Sequence, residues 1–287
     1  MILKSNHGFV VMGRFFFLLG ITLFVVGQSA FAQRTHVATN LMVSMHKGCT
    51  YSMNIADIDS LWFTTLSSSY LSDEVKYPSY VRKSIQLRGK KVAFFGDSIM
   101  KGFINGNDVT PDNVPNLLNT MYALKKCDNY AVGGSTFLSA MGRKTVMEQV
   151  AAAPLAYYDV IVVAAGVNDW ALGGDITLFE AAVKSLCDYF SGVNADVVFI
   201  TPINCADGAA HLSSIASLQI YRNIIYKVIL EANKRERFSV IQGGDFGFPD
   251  KDGSSELIEL MFGDKLHPSE VGYRTLYLSG FIKAINQ

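Results

Sequence analysis

The 287-residue sequence has little charge and no excess of either sign. Asp, Glu, Lys and Arg make up 17% of it, and 25 acidic side chains balance 25 basic ones. A chain without a basic surplus lacks the electrostatic footprint of a protein that binds nucleic acid broadly. Disordered proteins combine low hydrophobicity with high net charge, whereas 49% of these residues are hydrophobic. The composition therefore excludes a disordered chain and indicates a sizeable core.

Motifs for metal, redox or nucleotide chemistry are also missing. The four cysteines form no C-x-x-C pair, which argues against a zinc knuckle or a redox motif. Cys187 lies on an apolar helical stripe, and this predicts a buried thiol. After residue 87 only His211 and His267 remain, without the H-x-x-x-H spacing of a metal site. No glycine-rich phosphate-binding loop follows a predicted strand, so we expect neither a metal nor a nucleotide.

The first 32 residues have the layout of an export signal. Lys4 and Arg14 precede an apolar run over 15–27, and Ala30-Phe31-Ala32 follows it. A basic start, a short apolar stretch and an A-x-A exit are typical of a secretory signal peptide. A membrane anchor is the alternative, but polar and glycine residues dilute a run that needs ~20 apolar residues to span a bilayer. We predict cleavage after Ala32 and a secreted product, periplasmic or extracellular, without a membrane span.

The remaining chain changes character near residue 88. Residues 33–87 are rich in Ser, Thr, Met and Tyr, and the segments 41–45 and 49–55 around a short turn predict a hairpin. We interpret 33–87 as a β-rich N-terminal leader that is too short to be assigned as an independent domain. From residue 88 to 287, short apolar runs alternate with longer amphipathic ones.

This alternation predicts a three-layer α/β domain over residues 88–287, with helices on both faces of a five-stranded parallel sheet. Runs such as 160–165 lack period-two alternation, as expected for strands buried on both faces. The predicted strands are 91–95, 129–132, 160–165, 197–201 and 240–242, and the predicted helices are 114–125, 143–153, 177–191, 214–235 and 269–285.

Clusters of small and reactive residues lie beyond the predicted strands. Ligands of open parallel sheets bind outside the carboxyl ends of the strands, so segments far apart in the chain meet at one edge. The clusters are Gly96-Asp97-Ser98, Gly133-Gly134-Ser135-Thr136, Gly166-Val167-Asn168-Asp169 and, after a long loop, Asp264-Lys265-Leu266-His267-Pro268. We expect them to form one site.

These residues suit acyl transfer by a serine. A serine hydroxyl is a poor nucleophile until a base takes its proton, and His267 can be that base for Ser98, because histidine exchanges protons near neutral pH. Asp264, three residues earlier, can hold the other ring nitrogen and fix the tautomer. The Ser98 and Gly134 backbone N–H groups and the Asn168 amide are the candidate donors to the oxyanion.

The neighbouring residues are assigned to structure rather than to chemistry. Asp97 directly precedes the candidate nucleophile, where its side chain can brace the turn, and Asp169 has the same interpretation. For Trp170 two interpretations stay open, since it can line the pocket or cap its own loop.

Together these blocks resemble the SGNH, or GDSL-type, hydrolase superfamily. The resemblance covers roughly residues 88–287, includes the run Asn129-Tyr130-Ala131-Val132-Gly133-Gly134, and shows Ile99 where many members have Leu. It implies a flavodoxin-like sheet and a serine esterase without metal or organic cofactor. By resemblance Ser98, His267 and Asp264 form the catalytic triad, and Ser98, Gly134 and Asn168 form the oxyanion hole.

The sequence therefore predicts a secreted serine esterase of small acyl esters, with deacetylation of a carbohydrate as the preferred activity. The stretch 102–113 is polar and does not have the pattern of an amphipathic lid. The alternatives are a lysophospholipase or thioesterase acting on longer chains, and a non-catalytic secreted binding protein of the same fold. The α/β-hydrolase fold needs a G-x-S-x-G nucleophile elbow, which this sequence lacks.

Overall fold

A computed structural model describes residues 12–13, 22–26, 40–44, 50–54, 75–82, 85–105, 108–205, 216–232, 237–249 and 259–286, the first four segments as backbone. The chain divides into two compact units, Met1–Thr64 and Thr65–Gln287. None of the helices in the described segments has the length and apolar character needed to cross a bilayer.

The first unit contains a four-stranded antiparallel sheet of β1 (Met12–Gly13), β2 (Thr22–Val26), β3 (Asn40–Ser44) and β4 (Thr50–Asn54), in that order. β3 and β4 pair with Asn40 opposite Asn54, in agreement with the predicted hairpin. β1 and β2 lie within the segment that the sequence predicts to be a signal peptide, and its cleavage stays a prediction.

The second unit alternates strands and helices as predicted. In chain order it contains β5 (Lys91–Gly96), α1 (Ser98–Lys101), β6 (Phe103–Asn105), β7 (Asp108–Val109), α2 (Val114–Tyr122), β8 (Lys126–Asn129), α3 (Val146–Ala151), β9 (Val160–Ala164), α4 (Val167–Ala171), α5 (Ile176–Phe190), β10 (Asp196–Ile200), α6 (Leu218–Ala232), β11 (Phe238–Ile241), α7 (Glu270–Gly272), a π-helical turn (Tyr273–Tyr277) and α8 (Leu278–Ile285).

Five of these strands form one parallel sheet in the order β11-β10-β9-β5-β8. Counted along the chain this is the order 2-1-3-4-5 of flavodoxin-like sheets, which confirms the predicted fold class. The strand order reverses between β5 and β9, where Gly96 lies opposite Ala164. Ligands of such sheets bind at this point, so the segments that follow β5 and β9 have the favoured position for a site.

Helices cover both faces of the sheet because its strands are apolar on both sides. One core cluster contains Phe95, Ile161 and side chains of α3, α5 and α6, and the other contains Phe94, Val162 and side chains of α2 and α8. Cys187 is 1% exposed in the first cluster, which confirms the buried thiol predicted from the helical stripe.

Several elements differ from the predicted boundaries, and three of them have a clear physical reason or an unexpected form. β8 begins at Lys126 rather than at residue 129, because an edge strand keeps polar residues and hides its apolar pattern. The backbone beyond it still pairs with β5, since Tyr130 N donates to Phe94 O at 2.8 Å. α3 begins only at Val146 because Thr145 and Glu148 form a capping box there. The final helix is interrupted by the π-helical turn.

Residues 75–82 cover the outer edge of β11. Tyr80 and Val240 exchange two backbone hydrogen bonds of 2.8 Å in an antiparallel bridge. Tyr77 stacks on Tyr226 of α6 with ring centroids 4.7 Å apart. This part of the predicted leader therefore packs on the α/β unit.

Candidate active site

The nucleophile candidate lies at a sharp turn between β5 and α1. Gly96 ends β5 at φ +150°, and a Cβ there would come within 2.0 Å of the Ala164 carbonyl oxygen, so only glycine fits. Asp97 is the N-cap of α1, and its side chain accepts the Ile99 N–H at 2.9 Å. The bracing role predicted for Asp97 agrees with this contact. Ser98 is thereby held as the first residue of α1.

The structure brings Ser98, His267 and Asp264 into one hydrogen-bonded line. Ser98 Oγ lies 2.7 Å from His267 Nε2, and His267 Nδ1 lies 2.6 Å from Asp264 Oδ2. Ser98 is 7% exposed and His267 is 8% exposed, so most of this contact is shielded from water. Residues that are 169 positions apart in the chain therefore meet at hydrogen-bond distance, as the sequence predicts.

Asp264 is oriented by its own loop. Its Oδ1 accepts the backbone N–H groups of Leu266 and His267, both at 3.0 Å, which leaves Oδ2 facing the imidazole. Burial alone would raise the pKa of Asp264, but the hydrogen bonds from the His267 side chain and the two backbone groups outweigh it and hold that pKa below its ordinary value. The carboxylate can therefore keep the proton of the imidazole on Nδ1 and leave Nε2 free to accept from Ser98.

The second cluster lies beside Ser98, and the third is hydrogen-bonded to the second. A Cβ on Gly133 would be 3.9 Å from the Ser98 Cβ, while Gly134 adopts φ +75° beside the guanidinium of Arg143. Asn168 Nδ2 donates to the Ser135 carbonyl oxygen at 3.0 Å, and an amide nitrogen has a second hydrogen to offer. The loop after β8 and the start of α4 are thus linked directly.

Asp169 and Trp170 support the loops. Asp169 is fully buried and accepts the Phe137 and Leu138 N–H groups at 3.0 and 2.9 Å, as expected for a structural residue. Burial raises its pKa to about 6. Trp170 Nε1 donates to the Ala216 carbonyl oxygen at 3.0 Å and so ties α4 to the segment before α6. Across the described segments, no three His, Cys, Asp or Glu side chains cluster as metal ligands.

Sequence reasoning missed two aromatic residues at the site. Phe103 of β6 packs against the His267 ring with centroids 4.6 Å apart. The Tyr273 hydroxyl lies 3.0 Å from the carbonyl oxygens of both Ile99 and Phe103, and so ties the π-helical turn to the nucleophile helix. Both contacts join segments far apart in the chain, so no local sequence pattern predicts them.

Asp97→Asn should make the protein more stable at alkaline pH. Burial raises the pKa of Asp97 from 3.8 to about 7, so the folded protein holds this proton more tightly than the unfolded chain. The stability that Asp97 contributes is therefore greatest in acid and declines as the pH rises through the range between those two values. Asparagine keeps an acceptor for the Ile99 N–H but cannot ionise. A difference of one pKa unit between the folded and unfolded states changes the free energy of unfolding by about 1.4 kcal/mol.

Thermal unfolding of both proteins at about pH 5 and about pH 8 measures this effect. We expect the melting temperature of the variant, relative to that of the wild type, to be higher at about pH 8 than at about pH 5. A constant difference between the two proteins across this range would contradict the assignment.

Solved structures of similar fold exist at low sequence identity. A Lactobacillus plantarum protein is 21% identical at a TM-score of 0.56, covering 68% of this chain and 96% of its own. A Parabacteroides merdae protein described as a GDSL-like lipase is 20% identical at a TM-score of 0.51, and the match covers 71% of this chain and 98% of that protein. Axe2, an acetylxylan esterase from Geobacillus stearothermophilus, is 16% identical at a TM-score of 0.48, and the match covers 71% of this chain and 97% of Axe2. No curated protein matches the chain significantly.

The family assignment comes from the sequence of the α/β unit. A family model described as GDSL-like Lipase/Acylhydrolase matches residues 94–275. This range is more than half of the chain, and it contains the segments after β5, β8 and β9 as well as the loop before α7. The protein accordingly belongs to the GDSL-like lipase/acylhydrolase family.

Proposed function

We propose that this protein is an exported serine esterase that removes small acyl groups, in particular acetyl, from carbohydrate esters. The observation that supports the chemistry is the line from Ser98 Oγ through the His267 imidazole to Asp264, with contacts of 2.7 and 2.6 Å. A serine is an activated nucleophile when a neighbouring imidazole can accept its proton and a carboxylate holds the other side of that imidazole.

In the first half-reaction Ser98 Oγ attacks the carbonyl carbon of the ester while His267 Nε2 takes the hydroxyl proton. The negative charge moves to the carbonyl oxygen of the tetrahedral intermediate, and Asp264 stabilises the imidazolium without itself being protonated. When the intermediate collapses, His267 returns the proton to the departing alcohol oxygen. The acyl group stays on Ser98 as an ester.

In the second half-reaction water replaces the alcohol. His267 takes a proton from water while the water oxygen attacks the acyl carbon. His267 then gives that proton to Ser98 Oγ as the bond to the acyl carbon breaks and the carboxylic acid leaves. In both steps the oxyanion would accept from the Ser98 and Gly134 N–H groups and from Asn168. Ser98 begins α1, and the first N–H groups of a helix have no partner within the helix, which supports this role for Ser98.

The surroundings of Ser98 favour a short acyl group on a polar carrier. α1 is followed by the short β6–β7 hairpin, in which Asp108 and Val109 are exposed, rather than by an amphipathic helix that could cover a long chain. Phe103 from the same hairpin lies against the imidazole and narrows the space beside it.

A series of p-nitrophenyl esters of rising chain length tests the acyl preference. We expect kcat/KM to be highest for acetate and to fall about tenfold or more towards octanoate, because the described hairpin after α1 gives extra methylenes no apolar cover. Release of acetate from acetylated xylan, measured beside release of fatty acid from a lysophospholipid, tests the carrier. A maximum at octanoate with activity on the lysophospholipid would replace the deacetylase proposal with the long-chain alternative.

Export is supported by the first 32 residues. When the full chain is expressed in a bacterium that secretes proteins, we expect the exported protein to begin at Gln33, because cleavage follows the Ala30-Phe31-Ala32 exit. N-terminal sequencing of the protein outside the cytoplasm measures this. A protein that retains residues 1–32 and stays with the membrane fraction would favour the anchor instead.

A further inference from the structure

Gln149 makes a set of buried hydrogen bonds to the segments around the site. It lies on α3 and is 2% exposed. Its Oε1 accepts the Gly96 N–H at 3.0 Å, and its Nε2 donates to the Gly96 carbonyl oxygen at 2.9 Å and to Ser135 Oγ at 2.7 Å. These contacts use both amide hydrogens and the amide oxygen. Because the two polar groups of Gly96 demand opposite partners, they also fix the orientation of the amide.

The partners of Gln149 belong to the proposed catalytic loops. Gly96 is two residues before Ser98, and Ser135 directly follows Gly134. The Ser135 carbonyl oxygen in turn accepts from Asn168 Nδ2 at 3.0 Å. One buried amide is therefore bonded directly to the nucleophile turn and to the glycine loop, and through Ser135 it reaches Asn168.

These loops need such a connection. Gly134 and Ser135 follow the end of β8, outside the regular ladder of the sheet, and Gly134 is in the left-handed region. α3, by contrast, is held by the Thr145–Glu148 capping box and by the burial of Val146 and Val150. Backbone hydrogen bonds join these segments at their ends, from Val132 N to Gly96 O and from Val146 N to Thr136 O. Gln149 adds the side-chain link from a well-anchored helix to Gly96 and Ser135, between those ends.

We infer that Gln149 is a positioning residue of the esterase site, an inference that rests on the proposed function. Its amide sets the distance between the Ser98 turn and the loop of Gly134 and Asn168, so that the donors from both converge on the oxyanion. The contacts described for Gln149 are all to protein groups behind the site. Its effect on the rate is therefore indirect and comes from geometry.

The test compares Gln149→Met with a matched buried glutamine. Gln242 is 3% exposed and bonds Thr201 Oγ1 at 3.0 Å, at the end of the sheet beyond β10. We expect Gln149→Met to lower kcat for a chromogenic acetate ester roughly 10²-fold with KM nearly unchanged, since small misplacements of catalytic groups have effects of this order. Gln242→Met should change kcat by less than about threefold even if its melting temperature falls.

A double-mutant cycle with Asn168→Ala separates positioning from general destabilisation. Asn168→Ala alone should lower kcat by about 10²–10³-fold. If Gln149 acts through the oxyanion loop, the double variant should lose much less than the product of the two single losses, because both remove the same interaction. Independent, multiplicative losses would overturn the inference, as would a Gln149→Met kcat within about threefold of the wild type.

Ser135→Ala provides a second test if Gln149→Met does not fold. It removes one hydroxyl and leaves the backbone contacts of Gln149, so we expect a kcat loss of roughly 3–10-fold with KM unchanged. An unchanged kcat would count against the inference. A wild type without esterase activity, or an active Ser98→Ala variant, would contradict the proposed function itself. A normal Gln149→Met variant beside an inactive Ser98→Ala variant would overturn the positioning role alone.

Discussion

Ser98→Ala should lower kcat for a chromogenic acetate ester by about 10⁶-fold, the loss typical when the nucleophile of a hydrolytic triad is removed. The variant lacks the oxygen that attacks the ester, and the 2.7 Å contact to His267 Nε2 disappears with it. Folding should be unaffected, because the Asp97 side chain caps α1 through the Ile99 backbone and not through the Ser98 hydroxyl. Initial rates, with circular dichroism and thermal unfolding of the same samples, measure both effects.

Ser185→Ala is a suitable control for that experiment. Ser185 is exposed on α5, where its hydroxyl donates to the Ala181 carbonyl oxygen at 2.9 Å. This variant also loses one serine hydroxyl from a helix, but at an exposed position far in sequence from Ser98 and His267, and should hydrolyse the ester at the wild-type rate. Turnover by Ser98→Ala at a comparable rate would show that another group is the nucleophile.

Asp264→Asn should lower kcat by about 10⁴-fold while the loop keeps its conformation. Asparagine Oδ1 can still accept the Leu266 and His267 N–H groups, which now lie at 3.0 Å from Asp264 Oδ1. The amide nitrogen then replaces Oδ2 opposite His267 Nδ1 and donates to it. The imidazole must therefore hold its own proton on Nε2, where it can no longer accept the proton of Ser98.

Asp175→Asn is a close control for this substitution. Asp175 also accepts two backbone N–H groups with one oxygen, those of Thr177 and Leu178 at 2.9 Å, but it caps α5, and among the described residues it has no imidazole partner. We expect it to retain the wild-type kcat. The two variants should unfold at similar temperatures to the wild type, so the difference between them reports the tautomer of His267. An Asp264→Asn variant with nearly full activity would show that the carboxylate does not set that tautomer.

The sequence was sufficient to predict the sheet and the meeting of Ser98 with His267. Buried parallel strands such as β9 have a distinctive apolar pattern, and the topology of such sheets places their carboxyl ends at one edge. The predicted position of β8 is three residues too late, because Lys126 and Asp128 make the start of this edge strand polar. The contacts of Gln149 could not be predicted, since those to Gly96 join residues 53 positions apart and all of them depend on how α3 packs.

The end of the chain shows a related limit. The periodicity of a helix continues through the π-helical turn of residues Tyr273–Tyr277, so the apolar pattern gives no sign of the widened turn. Phe103 likewise belongs to a largely polar stretch of sequence. Its contact with His267 arises only when the segment before α7 packs beside β6, where Tyr273 of the π-helical turn bonds Ile99 of α1.

The antiparallel bridge between Tyr80 and Val240 affects how this protein can be shortened. A truncated protein that starts at residue 88, where the strand–helix alternation begins, would release both backbone groups of Val240 and uncover the ring of Tyr226. Open strand edges are templates for pairing with other molecules, so such a fragment should aggregate during purification. A fragment that starts before residue 75 keeps that edge paired and should remain monodisperse.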